Sequence, residues 1–134
     1  MADSYRQAGI RLHEAMDSTL SVEFDPGPWE TIRHGVPAFH MFDKAHCVML
    51  TEKAIIPREA GRKILAGLRE MEREGMLEAR HSVSGSKHSG ELWLIQRLGE
   101  EIAGWISVGR SSGDLGAVAD CIAGRQSAGD DGLI

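Results

Sequence analysis

The residues with the clearest chemical potential lie in the segment 109–114, Gly-Arg-Ser-Ser-Gly-Asp. Arg110 can make a two-pronged contact with a carboxylate or phosphate, and either serine can cap a helix. An apolar helical pattern follows over residues 115–125, and its first-turn amides would carry partial positive charge. The segment therefore predicts either a helix N-terminus that holds a small anion or a capped turn in which Arg110 pairs with Asp114.

A second candidate group lies on a predicted helix upstream. Apolar and aromatic residues recur there at steps of three and four, which marks one face of a helix. The residues on this face are Phe39, Phe42, His46, Met49 and Leu50. A histidine on an apolar face is more often a packed structural residue than a ligand-facing one, and both interpretations stay open for His46.

The sequence has none of the common metal motifs and no nucleophile elbow. It has no His-Glu-x-x-His and no Cys-x-x-Cys, and no lysine follows the 109–114 segment as a P-loop requires. Residues 109–113 match the letters Gly-x-Ser-x-Gly, but no strand is predicted before them, as a nucleophile elbow requires. His34, His40 and His46 are six residues apart, so they point to different sides of a helix. The sequence therefore predicts no metal and no cofactor.

Composition narrows the class of protein further. The 134 residues carry a net charge of −5 without a basic patch, which argues against a nucleic-acid partner. No apolar run reaches the roughly 18 residues of a membrane span, and the polar N-terminus has no signal-peptide character. Cys47 and Cys121 lie within apolar helical patterns and are predicted to be reduced core residues. These features favour a cytoplasmic protein without a nucleic-acid or membrane partner.

The elements that would position these residues are helices. With 42% hydrophobic but only 5% aromatic residues, the composition suits packed helices better than a sheet. The patterns predict an all-α fold of four or five helices. The predicted helices cover residues 29–53 with a break near Pro37, 57–76, 91–103 and 115–125, and a polar loop covers 78–90. Trp93 and Leu94 lie partly off the apolar stripe of their helix, which predicts a second buried side against a partner chain.

The chain divides into three predicted regions. Residues 1–24 form an N-terminal extension with a short helix, residues 25–125 form one helical domain, and residues 126–134 form a frayed tail. The tail has no helical period and little apolar surface to bury.

Three stretches of the sequence resemble one known family. Residues 41–50, Met-Phe-Asp-Lys-Ala-His-Cys-Val-Met-Leu, and residues 55–60, Ile-Ile-Pro-Arg-Glu-Ala, resemble the Ala-His-x-x-Met-Leu and Ile-Ile-x-x-Glu-Ala helices of the argininosuccinate lyase family. The 109–114 segment resembles that family's first signature, Gly-Arg-Ser-Arg-Asn-Asp. The resemblance covers residues 25–125, and it implies the N-terminal helical domain of a fumarate-lyase-type fold.

The resemblance also implies a chemistry. Such lyases are homotetramers that cleave a C–N bond by β-elimination and release fumarate from a succinyl-amine such as argininosuccinate or a related aminopolycarboxylate. The implied substrate-binding residues are Arg110, Ser111, Ser112 and Gly113, and the residues that could line the site are Asp43, His46 and His88. Ser112 and Gly113 replace the arginine and asparagine of the signature, and Asp43 stands where a serine is common.

No catalytic residue is assigned to this chain, because the family's second and third signatures are not present in it. We therefore expect an N-terminal fragment of the lyase. The alternative is a non-catalytic truncated homologue that self-associates through its helices or binds a small anion.

Overall fold

The fold is all-α, as the sequence predicts. The computed structural model describes residues 29–83 and 87–130, and within these ranges it contains helices and no strand. The α-helices are α1 (Trp29–Ile32), α2 (Val36–Glu52), α3 (Arg58–Glu74), α4 (Met76–Val83), α5 (Ser89–Leu98), α6 (Glu100–Ala103) and α7 (Ser112–Asp130). Five of these described helices have eight residues or more. The predicted extension 1–24 and residues 131–134 lie outside the described residues.

The predicted break before Pro37 is confirmed. A 3₁₀ turn, Arg33–Gly35, separates α1 from α2. Pro37 lies in the first turn of α2, where a missing amide hydrogen removes no intrahelical hydrogen bond. The break lies just before the helix that carries Asp43 and His46.

Helix α3 forms where the sequence predicts a helix over residues 57–76, and its apolar face is buried. Ile64, Leu68 and Met71 are fully enclosed. The helix ends at Gly75, whose φ of +102° lies in a region that residues with a Cβ rarely adopt. The stripe and the stop at Gly75 both agree with the sequence pattern.

The predicted polar loop over residues 78–90 is wrong. Residues Met76–Val83 form α4, and α5 begins at Ser89. The polar composition concealed a helix because its inward face carries Arg80, which is buried as one member of an ion pair. Hydrophobic periodicity cannot mark a buried face that is built from a charged residue.

Two other helix boundaries and the burial of one cysteine differ from the prediction. The predicted helix 91–103 is interrupted at Gly99, whose φ of +79° ends α5. Helix α7 continues to Asp130, five residues beyond the predicted end at Arg125. Of the two cysteines predicted in the core, Cys47 is buried and Cys121 is exposed.

The apolar residues form two clusters. The larger cluster includes Cys47 of α2, Leu68 of α3 and Leu94 of α5, and α3 packs against both α2 and α5. The smaller cluster includes Phe39 of α2 and Leu115 of α7. This smaller cluster fixes the start of α7 against α2, which brings the 109–114 segment next to Asp43.

Trp93 and Leu94 are buried within the chain itself. Their exposed fractions are 4% and 0%. The prediction that they face a partner chain is wrong, because α5 is covered on this side by α3. Among the helices of residues 29–83 and 87–130, none combines the length and apolar character that a membrane span needs.

Candidate functional site

The 109–114 segment closes on itself as a capping box. The Asp114 amide donates to Ser111 Oγ at 3.4 Å, while the Ser111 amide donates to Asp114 Oδ2 at 2.8 Å. The Ser111 hydroxyl also donates to Asp114 Oδ2, at 3.0 Å. These hydrogen bonds from Ser111 hold the pKa of Asp114 below its usual value. Ser111 is therefore the helix cap, in agreement with the sequence, and α7 begins at Ser112.

Arg110 does not pair with Asp114. Its Nη1 donates to Asp43 Oδ1 at 2.6 Å, and only 6% of its side chain is exposed. The guanidinium carbon lies 5.5 Å from the centre of the Phe42 ring, on the same helix as Asp43. Gly109, with a φ of +70°, sits at the turn from which Arg110 points inward. The predicted alternative of an Arg110–Asp114 pair is wrong because Asp114 is engaged by Ser111.

Asp43 also binds a second arginine. Arg80 Nη2 donates to Asp43 Oδ2 at 2.6 Å, and both side chains are almost completely buried. One carboxylate therefore joins two guanidinium groups, and this group of three has a formal charge of +1. Arg80 Nε and Nη1 are buried without a hydrogen-bond partner. A buried carboxylate is stabilised by such pairing, and each arginine depends on it in turn.

The first turn of α5 covers this charged group. A Cβ built on Gly90 would lie 2.7 Å from Arg80 Nη1, from Arg80 Nη2 and from Asp43 Oδ2. A glycine at position 90 is therefore needed for the close approach of α5 to the ion pair. Sequence reasoning missed both Arg80 and Gly90, since nothing local to either residue indicates the contact.

His46 makes a structural contact. Its Nε2 donates to the Val108 carbonyl at 2.8 Å, and its ring stacks on Phe42 with a centroid distance of 5.6 Å. This hydrogen bond connects α2 to the residue that precedes the 109–114 segment. His88, the third residue predicted to line the site, lies half-buried in the turn before α5. Its carbonyl accepts from the Leu92 amide.

A second polar chain extends from Arg80 to the surface. Arg80 Nη2 lies 3.4 Å from His40 Nδ1, and His40 Nε2 lies 3.1 Å from Glu72 Oε1. Lys44 donates to the same Glu72 oxygen at 2.7 Å. Because an arginine can only donate, His40 Nδ1 accepts and Nε2 carries the proton. The pKa of His40 is lowered from its usual value of 6.5 by burial and by the adjacent Arg80 charge.

The stability of the protein is expected to fall as the pH drops below about 6.5, the usual pKa of an unfolded histidine. Below this pH the His40 side chain binds a proton in the unfolded chain but stays neutral in the folded chain. The loss of stability therefore continues until the pH reaches the lowered pKa of His40 in the folded protein, and it stops below that pH. Urea unfolding between pH 7.5 and 5 would measure this. In His40→Gln the pH dependence should be flatter, and an identical dependence in both proteins would contradict the assignment.

Ser112 and Gly113 face solvent. Residues 111–114 are all exposed, and Ser112 and Gly113 occupy the first two positions of α7, where amides have no intrahelical acceptor. Two apolar grooves lie elsewhere in the described part of the chain. One, of about 300 Å³, is lined by Val118 and Cys121, and the other, of about 520 Å³, by Met41 and Val48. The 109–114 segment is therefore an open surface and not a closed pocket.

Comparison with known proteins places the chain in a family. It is 39% identical over 86 residues to the argininosuccinate lyase of Pyrobaculum neutrophilum, covering 64% of this chain and 20% of that protein. It is 37% identical over 98 residues to the argininosuccinate lyase of Methanocaldococcus jannaschii, covering 72% and 19%. It is 44% identical over 80 residues to the argininosuccinate lyase of Methanosarcina barkeri, covering 60% and 16%. The chain belongs to the argininosuccinate lyase family.

Membership of the argininosuccinate lyase family confirms the resemblance seen in the sequence, which is to the N-terminal portion of that family. The chain spans about a fifth or less of the length of these curated relatives. No protein-family profile matches the chain. No solved structure gives a significant match.

Proposed function

We propose that the chain forms one wall of a carbon–nitrogen lyase site that cleaves a succinyl-amine, such as argininosuccinate or a related aminopolycarboxylate, and releases fumarate. The observation that supports this most directly is the capped N-terminus of α7, which presents the first-turn amides of Ser112 and Gly113 to solvent in a member of the argininosuccinate lyase family. Helix N-termini of this kind bind carboxylates through backbone donors and the helix dipole.

The reaction needs such donors. In the β-elimination a base removes the proton from the carbon next to a carboxylate, and the C–N bond breaks. The amine departs with the electron pair of the C–N bond and takes up a proton, which balances the proton removed from carbon, and the remaining four carbons form fumarate. Negative charge builds up on the carboxylate before the amine leaves, so preorganised amides beside it lower the barrier. The general base and the other walls of the site are proposed to come from other segments and from partner subunits of a tetramer.

The proposal can be tested with a chimera. The N-terminal segment of the Methanosarcina barkeri argininosuccinate lyase that corresponds to residues 25–125 of this chain is replaced by those residues. Fumarate formation from argininosuccinate is followed by ultraviolet absorbance. We expect turnover well above that of the same lyase with the segment deleted. A chimera that assembles at the size of the parent lyase and is inactive would contradict the proposal.

In this chimera, Ser111→Ala is expected to lower kcat/KM at least about tenfold. The loss of the cap loosens the first turn of α7, and the donors then meet the developing charge in a less favourable geometry. Ser82→Ala is the matched control, since the Ser82 hydroxyl donates to the Ala79 carbonyl within α4. Equal values of kcat/KM for the two variants would contradict a role of the α7 N-terminus in the proposed site.

The exposed donors of Ser112 and Gly113 also support a second candidate, a small-anion-binding module without turnover. Calorimetric titration of the chain with succinate and the chimera assay together distinguish the lyase site from the anion-binding module. Binding without any turnover in the chimera favours the module. Absence of binding at millimolar succinate argues against the module.

A further inference from the structure

Three elements that are distant in the sequence meet at one carboxylate. Asp43 of α2 accepts a hydrogen bond at each carboxylate oxygen. Arg110, which precedes α7, donates to Oδ1, and Arg80 of α4 donates to Oδ2, each at a donor–acceptor distance of 2.6 Å. Each carboxylate oxygen thus holds one guanidinium group. The link from Arg110 through Asp43 to Arg80 connects the exposed 109–114 segment to the interior of the fold.

We propose that Asp43 is a positioning residue for the N-terminus of α7, and that Arg110 is an internal anchor and not a contact to the carboxylate ligand. This inference rests on the proposed function, in which the first-turn amides of Ser112 and Gly113 hold a substrate carboxylate. Within the 109–114 segment, Ser112 and Gly113 contact the ligand and Arg110 anchors the segment to the fold.

The exposure of the side chains supports this division. Arg110 is directed inward with 6% of its side chain exposed, whereas residues 111–114 are exposed. A ligand that contacted the Arg110 guanidinium would have to compete with a buried carboxylate already bound at 2.6 Å. The exposed amides require no such displacement, because they have no intrahelical acceptor.

The balance of charge explains why Asp43 is the central member. Without Arg110, Asp43 and Arg80 still form a buried pair with no net charge. Without Asp43, two guanidinium groups with little or no exposure lose their shared counterion. Arg110 would then move outward to reach water, and the 109–114 segment would lose its fixed place.

The two possible roles of Arg110 predict opposite effects of Asp43→Asn on anion binding. If Arg110 contacts the ligand, the substitution frees its guanidinium and succinate should bind more tightly. If Arg110 is the anchor, the amides of Ser112 and Gly113 lose their fixed positions and succinate should bind about tenfold more weakly. The measurement is a succinate titration of the ¹⁵N-labelled chain, followed through these two amides at constant ionic strength. Asp120→Asn is the matched control, since Asp120 is exposed on α7 and its loss changes the net charge equally.

Hydrogen exchange gives a readout that does not depend on binding. In Asp43→Asn, the Arg110 and Leu115 amides, which donate to the Ser107 and Ser111 carbonyls, should exchange at least about tenfold faster. The Ile64 amide in α3 should keep its rate, which separates local loosening from global unfolding. Unchanged exchange at Arg110 and Leu115 would overturn the inference.

If Asp43→Asn does not fold, the same comparison is made in an Arg80→Met background. Methionine fills the buried volume without a charge, and the Asp43–Arg110 pair remains. Asp43→Asn/Arg80→Met should then bind succinate more weakly than Arg80→Met alone and exchange faster at Arg110. Tighter binding in the double variant would overturn the inference.

A failure of the proposed function is distinguished from a failure of this inference by the unsubstituted chain. An unsubstituted chain whose Ser112 and Gly113 amides do not respond to succinate contradicts the carboxylate-binding role. The anchoring role of Asp43 is then decided by the exchange rates alone.

Discussion

Asp43→Ala is expected to lower the free energy of unfolding by about 3–5 kcal/mol, the usual loss when one partner of a buried ion pair is removed. The substitution leaves Arg80 with no exposed surface and Arg110 with little, both without a counterion. Arg80 is the more severe problem, because its Nε and Nη1 already have no hydrogen-bond partner. Urea unfolding at pH 7 followed by circular dichroism would measure the loss.

Two further variants make this prediction specific to the buried charges. Asp120→Ala, on the exposed surface of α7, should change the free energy of unfolding by no more than about 0.5 kcal/mol. Asp43→Ala/Arg80→Met should be more stable than Asp43→Ala, because the second substitution removes the charge that the first leaves unpaired. Additive losses from Asp43→Ala and Arg80→Met would contradict the ion-pair explanation.

Leu94→Ala is expected to lower the free energy of unfolding by about 2–5 kcal/mol, as buried leucine substitutions do when a cavity remains. Leu94 is fully buried in the larger apolar cluster, where α5 packs on α3. Leu77→Ala is the matched control, because Leu77 is 41% exposed and its substitution leaves no cavity. A similar loss for both leucines would contradict the placement of Leu94 in the core.

Combining Leu94→Ala with a substitution at the neighbouring Gly67 tests how closely α3 and α5 pack. A Cβ on Gly67 would lie 2.7 Å from Leu94 Cδ2, so Gly67→Ala alone should destabilise the protein by about 1–3 kcal/mol. In the Leu94→Ala background the clash is gone, and the added methyl group fills part of the cavity in a helix that also prefers alanine. Gly67→Ala should therefore become stabilising there. A destabilising effect in both backgrounds would show that the two residues are not in contact.

Local patterns in the sequence were sufficient for the fold class, the family and the capped start of α7. Low aromatic content and apolar periodicity predict helices, and α3 with its stop at Gly75 follows that pattern closely. The Ser111 cap is predictable because a capping box joins residues only three apart. Interactions this short in sequence depend on residue type and spacing, and they need no information from the rest of the chain.

The role of Arg110 could be decided only by the tertiary structure. Its partner, Asp43, is 67 residues away in the sequence. The second arginine on that carboxylate, Arg80, lies in α4, which the sequence pattern predicts to be a loop. The sequence offered Asp114 as the partner because it is near, but Asp114 is engaged by Ser111.

The same limit applies to Leu94 and Gly90. The pattern marks Leu94 as apolar on a second side, and only the packing of α5 on α3 shows that this side is covered within the chain. Gly90 is indistinguishable from any other glycine until α5 is placed against the Asp43–Arg80 pair. Local hydrogen bonds and periodicities in the sequence predict α3 and the capped start of α7, but they do not predict α4, whose inward face carries the buried Arg80. Which buried charges pair, and which faces are covered, depends on the arrangement of the helices as a whole, since it is set by long-range packing and by the cost of leaving a buried charge unpaired.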